Sequence, residues 1–461
     1  MNCSIPDLRF MGQKIFLLTI WCVFGPLLVL SQSSKNAYLV ARWFDEDPPT
    51  NSRDARFNDV WAFVWEGEEY AAIGSTLGTH IVKLELNNAV IDVAFIPGDA
   101  QGGFVIHRDF TFYQGFLYGV CDQQPSQLQI IDCRTLPNDA LLVNSSSEFF
   151  TTAHNIFVDE YTGKLYVSGP SANALVVLDA SADPQNPTLL NAYNGVGYVH
   201  DVYARRDTVF LHAAQEGMFV FDFSEADAPV LLGDLPEYPE QGYNHSGWLN
   251  EDGSIYVFAD ETPGTSLKVV DTSSLQEMTV LSLLKSNGPE HTMPHNLVVK
   301  DNFVYVAYYF DGLQVFDISD PTQPELFAWY DTFDGPSIDY RGAWGVHVGL
   351  PSGRVLICDR HTGLYVFRLK NDGTQAPTDD LLIFPNPGNG DAILQVRRES
   401  IFKIEHRILD AQGKLIDEGK WQNTTSTFWI PLKLQNANAG MYFIEVIVDE
   451  GTPVTLKYLK Q

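Results

Sequence analysis

An all-β fold is predicted: a seven-bladed β-propeller closed by an N-terminal strand, followed by a small C-terminal β-sandwich. Three observations predict it. A four-strand unit returns every 45 to 50 residues, its third strand repeats in register, and an N-terminal segment matches the outer strand that the last unit lacks. Self-similarity at that period with four strands per repeat is the mark of propeller blades.

The unit is clearest at 295–319, HNLVVKDNFVYVAYYFDGLQVFDIS, with strands expected at 295–299, 303–308 and 313–318. Asp301-Asn302 and Asp311-Gly312 supply the turns, since Asn, Asp and Gly tolerate the left-handed backbone of tight hairpins. A fourth run at 325–330 follows Pro321 and Pro324. The first position of the unit recurs as Asn58, His107, His154, His200, His245, His295 and Trp344, which makes seven blades.

The third strand repeats as LQIIDCR at 128–134, LVVLDAS at 175–181, MFVFDFS at 218–224, LKVVDTS at 267–273, LQVFDIS at 313–319 and LYVFRLK at 364–370. Its alternating apolar residues suit packing between blades, and the Asp followed by Ser or Thr starts a turn. The seventh unit runs straight into NDGTQAPTDD at 371–380, a linker rather than a strand. AYLVARWFDED at 37–47 resembles the outer strand LFAWYDT at 326–332, so residues 36–45 are expected to complete blade seven. The propeller then spans 36–370.

Residues 1–33 place Lys14 before an apolar run at 15–30 and end in Ser31-Gln32-Ser33, the pattern of a secretory signal peptide. Cys22 follows the bulky Trp21 inside that run, which argues against a lipidated cysteine. With 58 acidic and 29 basic residues the formal charge is −29, which repels nucleic acid and anionic membranes and favours divalent cations. Beyond the leader, Cys121, Cys133 and Cys358 read as buried thiols, with a Cys121–Cys133 pair as the alternative. A core of this size needs no disulfide framework. At 381–461 alternating apolar strands, with turns at 410–413 and 438–440, predict the sandwich.

The inner strand of each propeller blade lines the central channel, so the seven first positions should gather at one mouth. His107, His154, His200, His245, His295 and Trp344 are therefore the candidate ligand-binding residues. The next position adds Asp59, Asn155, Asp201 and Asn296, and second strands end in Asp122, Asp260-Glu261 and Asp359, with His361 beyond. A metal-holding alternative draws on His200, His245, His295, Asp122, Asp260, Glu261 and Asp359, ligand types taken by calcium or a transition metal. Against both stands a plain structural role: an imidazole repeated blade after blade can brace the incoming loop, and a seven-membered ring is wide for one ion. Trp61, Trp65, Trp248, Tyr308, Tyr309, Trp329 and Trp344 suit packing between blades better than sugar stacking.

No HExxH, P-loop, GxSxG or dinucleotide fingerprint is present, and no catalytic residue is assigned. Two function classes follow. One is a non-enzymatic binding module for a glycan, peptide or cell-envelope partner; the other is a metal-dependent hydrolase or lyase with Asp260, Glu261 or Asp359 as ligand or base.

The segments NDVWAFVWEGEEYAAIGSTLGTHIV (58–82), AHNIFVDEYTGKLYVSG (153–169), YVHDVYARRDTVFLHA (198–213), NHSGWLNEDGSIYVFADE (244–261), MPHNLVVKDNFVYVAYYFDGLQVFDIS (293–319) and GAWGVHVGLPSGRVLICDRHTGLYVF (342–367) together resemble the choice-of-anchor B family of LVIVD-repeat proteins. That resemblance covers 36–370 and implies an exported bacterial propeller, with no general activity attached. FPNPGNG (384–390), the DAQGK turn, the AGMYF strand and the lysine-bearing last strand resemble a type A C-terminal sorting domain of the type IX secretion system. This implies a Bacteroidota-type bacterium, a partner in the secretion machinery that reads 381–461, and a secreted or outer-membrane surface location.

Overall fold

A blade with apolar residues on both faces is stable only between two others, and a ring of blades satisfies this for every member. The computed structural model describes residues 34–370 apart from 87 and 171, then 381–384, 390–448 apart from 436, and 453–460. The predicted signal peptide and linker lie outside the described residues. Antiparallel four-strand sheets occupy 57–97, 108–146, 155–193, 201–235, 244–284 and 297–330, each in simple sequence order. The seventh sheet combines Ala343–His347, Val355–Asp359 and Gly363–Leu369 with Ala37–Trp43 as its outermost strand. Inner strands touch in chain order, and that of blade seven touches that of blade one, so the ring closes at seven.

Closure follows the expected route, two residues shorter at its far end than the span 36–45. Leu39 faces Phe367, Ala41 faces Val366 and Trp43 faces Leu364. In all seven blades the pairing of third and outer strands slips by one residue at the same height, and in blade seven the slip falls between Leu39 and Ala41. Such a bulge adds local twist. The N-terminal strand therefore reproduces the outer-strand geometry of every other blade, bulge included. Ser34–Lys35 first pairs with blade six at Tyr330 and Trp329. Asn36, at φ 53°, then turns the chain onto blade seven while its side-chain amide donates to Phe327 O at 2.9 Å. Residues 34–43 thus stitch blades six and seven together.

The repeated Asp of the third strand caps the turn that follows it. Asp179, Asp222, Asp271 and Asp317 each accept the backbone N–H two residues on, at 2.8–2.9 Å. Cys121, Cys133 and Cys358 are free, buried thiols.

The C-terminal unit differs in one respect from two separately built sheets. Asp391–Asp410 and Leu415–Lys433 pair along their length, with slips at 397–403 and at 408–409, and one continuous sheet folds over a single core of Leu394, Val396, Ile404, Ile408, Ile430, Leu432, Ile444 and Tyr458. The Lys460 ammonium donates to Leu434 O, Gln435 O and Ala437 O at 2.6–2.8 Å and pins the loop ahead of the fourth strand.

Removing residues 34–45 leaves the edge at 363–369 unpaired. The expected result is a loss of at least about 10 °C in Tm, on the order of 7 kcal/mol for a domain this large, together with concentration-dependent association. Calorimetry and gel filtration check this; a monomeric truncation melting with the parent chain rules the closure out.

Candidate functional site

Five imidazoles and one indole meet at the hub. Ring centroids are 4.4 Å apart for His107–His154, 3.9 Å for His154–His200, 4.4 Å for His200–His245, 4.4 Å for His245–His295 and 4.0 Å for His295–Trp344, and 5.5 Å from Trp344 back to His107 closes the circle. The seventh member, Asn58, steps out of the circle: a Cβ on Gly74 would lie 2.0 Å from its Oδ1, so that glycine gives the side chain its room. The ring is therefore narrow, and ring neighbours lie within reach of a shared ligand.

Hydrogen bonds separate bracing imidazoles from free ones. His295 donates from Nδ1 to Trp344 O at 2.7 Å, and Trp344 donates from Nε1 to His107 Nδ1 at 3.1 Å. Those two serve the architecture. His245 is 1% exposed, yet neither of its ring nitrogens has a hydrogen-bond partner, and His295 Nε2 also lacks one. An unsatisfied buried polar atom costs about 1–3 kcal/mol, so bracing does not account for His245.

Carboxylates enter from one side. His154 donates from Nδ1 to Asp122, 3.0 Å from both carboxylate oxygens, and its Nε2 lies 3.7 Å from Asp201. His200 Nδ1 is 2.9 Å from Asp201 Oδ1. Burial would lower His154, but the charge and hydrogen bond of Asp122, backed by Asp201, lift it to about 9. Burial would raise Asp122, and His154 instead holds it at about 2. Burial, reinforced by neighbouring imidazoles, pushes His107, His200 and His245 well below the usual histidine value. His295 falls as far through burial, against the pull of its bond to Trp344 O. One imidazolium thus sits among neutral rings. On the far side Glu261 accepts the Tyr309 hydroxyl and lies 4.0 Å from His295 Nε2. Two sets of ligand atoms lie within 4.8 Å of one another: His154, His200, Asp201 and His245, and then His245, Glu261 and His295.

One step deeper is a polar belt, and below it an aromatic floor. Asp59, Asp109, Asn155, Asp201, Ser246 and Asn296 line a cavity of ≈ 60 Å³ above Trp61, Phe157, Trp248 and His347. Room for a few waters remains. The belt ties blades together: Asp109 accepts Ile156 N at 3.1 Å, Asn155 accepts Val202 N at 3.2 Å, and Ser246 donates to His295 O at 2.9 Å. Burial first, and then the Asp109 carboxyl, raise Asp59 well above the usual carboxylate value, so Asp59 keeps its proton and donates it to Asp109.

Two of the carboxylates singled out as ligands or bases lie elsewhere. Asp260 is paired with Lys268 at 2.7 Å with both side chains fully buried, and also accepts Tyr238 Oη and Gly242 N. Asp359 accepts Thr332 Oγ1, His361 N and Thr362 N, and His361 donates from Nε2 to Arg53 O. Side chains alternate along a strand, so the last strand residue turns away and the next one turns to the hub. That next position holds Asp122, Glu261 and Arg360. Arg360 was not singled out; its guanidinium stacks on Trp344 at 3.9 Å, fully buried, and donates to Tyr340 O. Asp109 was missed because blade two inserts Arg108, which turns away to Ser75 O, and the belt position moves one residue on. Trp61 and Trp248 pack in the channel floor, and Tyr309 and Trp344 pack at the ring.

Fold and tail together define an exported β-propeller. Residues 293–332 match the LVIVD repeat, and residues 382–460 match the secretion system C-terminal sorting domain, which marks the chain for type IX export. Similar solved structures include a protein from Lactobacillus plantarum (13% identity, TM-score 0.51, 82% of this chain and 99% of that one). The β-propeller domain of Cps50 (Swd1) from Myceliophteria thermophila is also similar (9% identity, TM-score 0.51, 72% and 100%), as are the WD40 repeats of RRP9 (10%, 0.50, 73% and 98%). At these identities the likeness concerns the fold alone. No curated protein matches the chain. No helix among the described residues is long and apolar enough to cross a membrane.

Because native Asp59 holds a proton that the unfolded chain releases near pH 3.8, its contribution to stability falls as pH rises above that value. Asp59→Asn supplies the same donor without a titration. The variant is expected to melt above the parent at pH 8, with the gap closing towards pH 4; equal melting temperatures at every pH dispose of the shared proton.

Proposed function

We propose that this chain is a choice-of-anchor B-type binding module, made with a signal peptide at 1–33, sent out through the type IX route, and seating a cell-envelope saccharide over the mouth of its hub. Export itself rests on the C-terminal sorting domain. The ligand class rests on one observation: Tyr198, 49% exposed, stands edge-on to His200 at 6.2 Å, with Tyr243 edge-on to the same ring at 5.2 Å and the partly exposed Asp122 carboxylate beside His154. Aromatic faces beside hydroxyl-accepting carboxylates suit a sugar, and a rigid ring holds them without ordering cost.

Metal-dependent hydrolysis or elimination is the second reading. Its support is Glu261, the one carboxylate of its three proposed bases that approaches His245 and His295. We favour binding, since Glu261 is already engaged by the Tyr309 hydroxyl.

Two outcomes are expected. Deleting 381–461 retains the protein in the periplasm, read by immunoblot of medium, surface and periplasmic fractions. On an array of bacterial envelope glycans, Tyr198→Ala loses about tenfold in affinity, the scale of one aromatic contact. An array without a hit, or a hit indifferent to Tyr198, removes the saccharide.

A further inference from the structure

We propose that His154, His200, His245 and the Asp201 carboxylate bind one divalent transition-metal ion of the zinc class at the hub, with Asp122 orienting His154 from behind. Four ligand atoms, one from each residue, lie within 4.8 Å of one another. A tetrahedral site with bonds of about 2.0–2.1 Å has edges of about 3.4 Å, so ring tilts of less than about 1 Å complete the set. Three imidazole nitrogens and one carboxylate select a borderline ion such as zinc. Calcium, which takes about six to eight oxygens, is excluded by the same donor list.

Three features distinguish this set from a bracing ring. His245 is buried with both nitrogens unpartnered, and it belongs to the set. A structural imidazole would bond a neighbouring carbonyl, as His295 does with Trp344 O. Next, Asp122 accepts His154 Nδ1–H with both oxygens, which leaves Nε2 turned towards Asp201 and the other rings, where an incoming ion takes the place of the Nε2 proton, released to solvent. A carboxylate behind a ligating histidine is the usual outer partner of a metal site, fixing the tautomer and the ring plane. Lastly, the approach lies on the Asp122 side, where that carboxylate is 28% exposed and His154 and Asp201 are each 11% exposed.

The two ligand sets share His245, so Glu261 and His295 offer a neighbouring position on its other flank. The proposed site is the four-residue one, because it alone carries both a carboxylate ligand and an outer carboxylate. It stands whether or not a saccharide seats above it, since the ion is read with no sugar present.

The purified chain, stripped with chelator, is equilibrated with zinc chloride, dialysed and measured by elemental analysis; cobalt substitution adds a visible d–d band. One zinc per chain is expected. His245→Ala loses it, and His245→Phe, which keeps a ring in the stack, loses it as well should the alanine variant not fold. Asp122→Asn retains all four ligands and weakens zinc about 10–100-fold. His291→Ala, at an exposed surface histidine, leaves it unchanged. A parent chain that retains no stoichiometric zinc, folded His245 variants that retain it, or loss in His291→Ala overturns the site.

Discussion

The backbone edge of Gly363–Leu369 is the constraint on which the rest of the molecule depends. Six blades are finished by their own chain, and the seventh has three strands of its own. An open edge in a ring of sheets is a template for pairing with another molecule. Here it is covered by Ala37–Trp43, held from the side by Ser34–Lys35 on blade six. Trp43 extends the lock to blade one by packing on Phe57 at 5.6 Å and donating to Asp92 at 2.7 Å. The first strand therefore touches three blades. Inner strands can converge into a narrow hub only because this lock fixes the circumference.

The hub combines opposite chemical demands in adjacent layers. Below, the belt satisfies its polar groups across blade boundaries, Asp109 to Ile156 and Asn155 to Val202, and its protonated Asp59 avoids two buried negative charges. Above, the ring leaves nitrogens unspent at His245 and His295. Like charges, or bare dipoles, crowded into a dry space are normally removed by partners. Here the partners are supplied for most of the ring and withheld at His245 and at His295 Nε2, and His245 is the member that the two ligand sets share.

The wheel was legible in the chain because a blade is a local object. Hairpin turns, alternation and the capping Asp all lie within fifty residues, and the missing outer strand showed as a deficit at one end and a surplus at the other. The ring residues were legible too, since they share one position in the unit. What escaped depended on side-chain direction. Asp260 and Glu261 are adjacent, yet one faces Lys268 and the other the hub. Arg108 displaced the belt position of blade two by one residue. How close the imidazoles approach one another depends on the diameter of the whole ring, a quantity no single repeat encodes. In the C-terminal unit, strand-length runs were visible, but the bend that folds one sheet onto itself was not.

The shared seventh sheet joins the two ends of a 330-residue circuit, and this has a bearing on how the chain is made. Any fragment released before residue 363 carries a first strand with nowhere to dock. Ribosomal stalling, a frameshift or a protease cut within the blades all yield pieces that cannot become wheels. The sorting signal comes after that point, so every chain able to present it has already synthesised the partner of its own first strand.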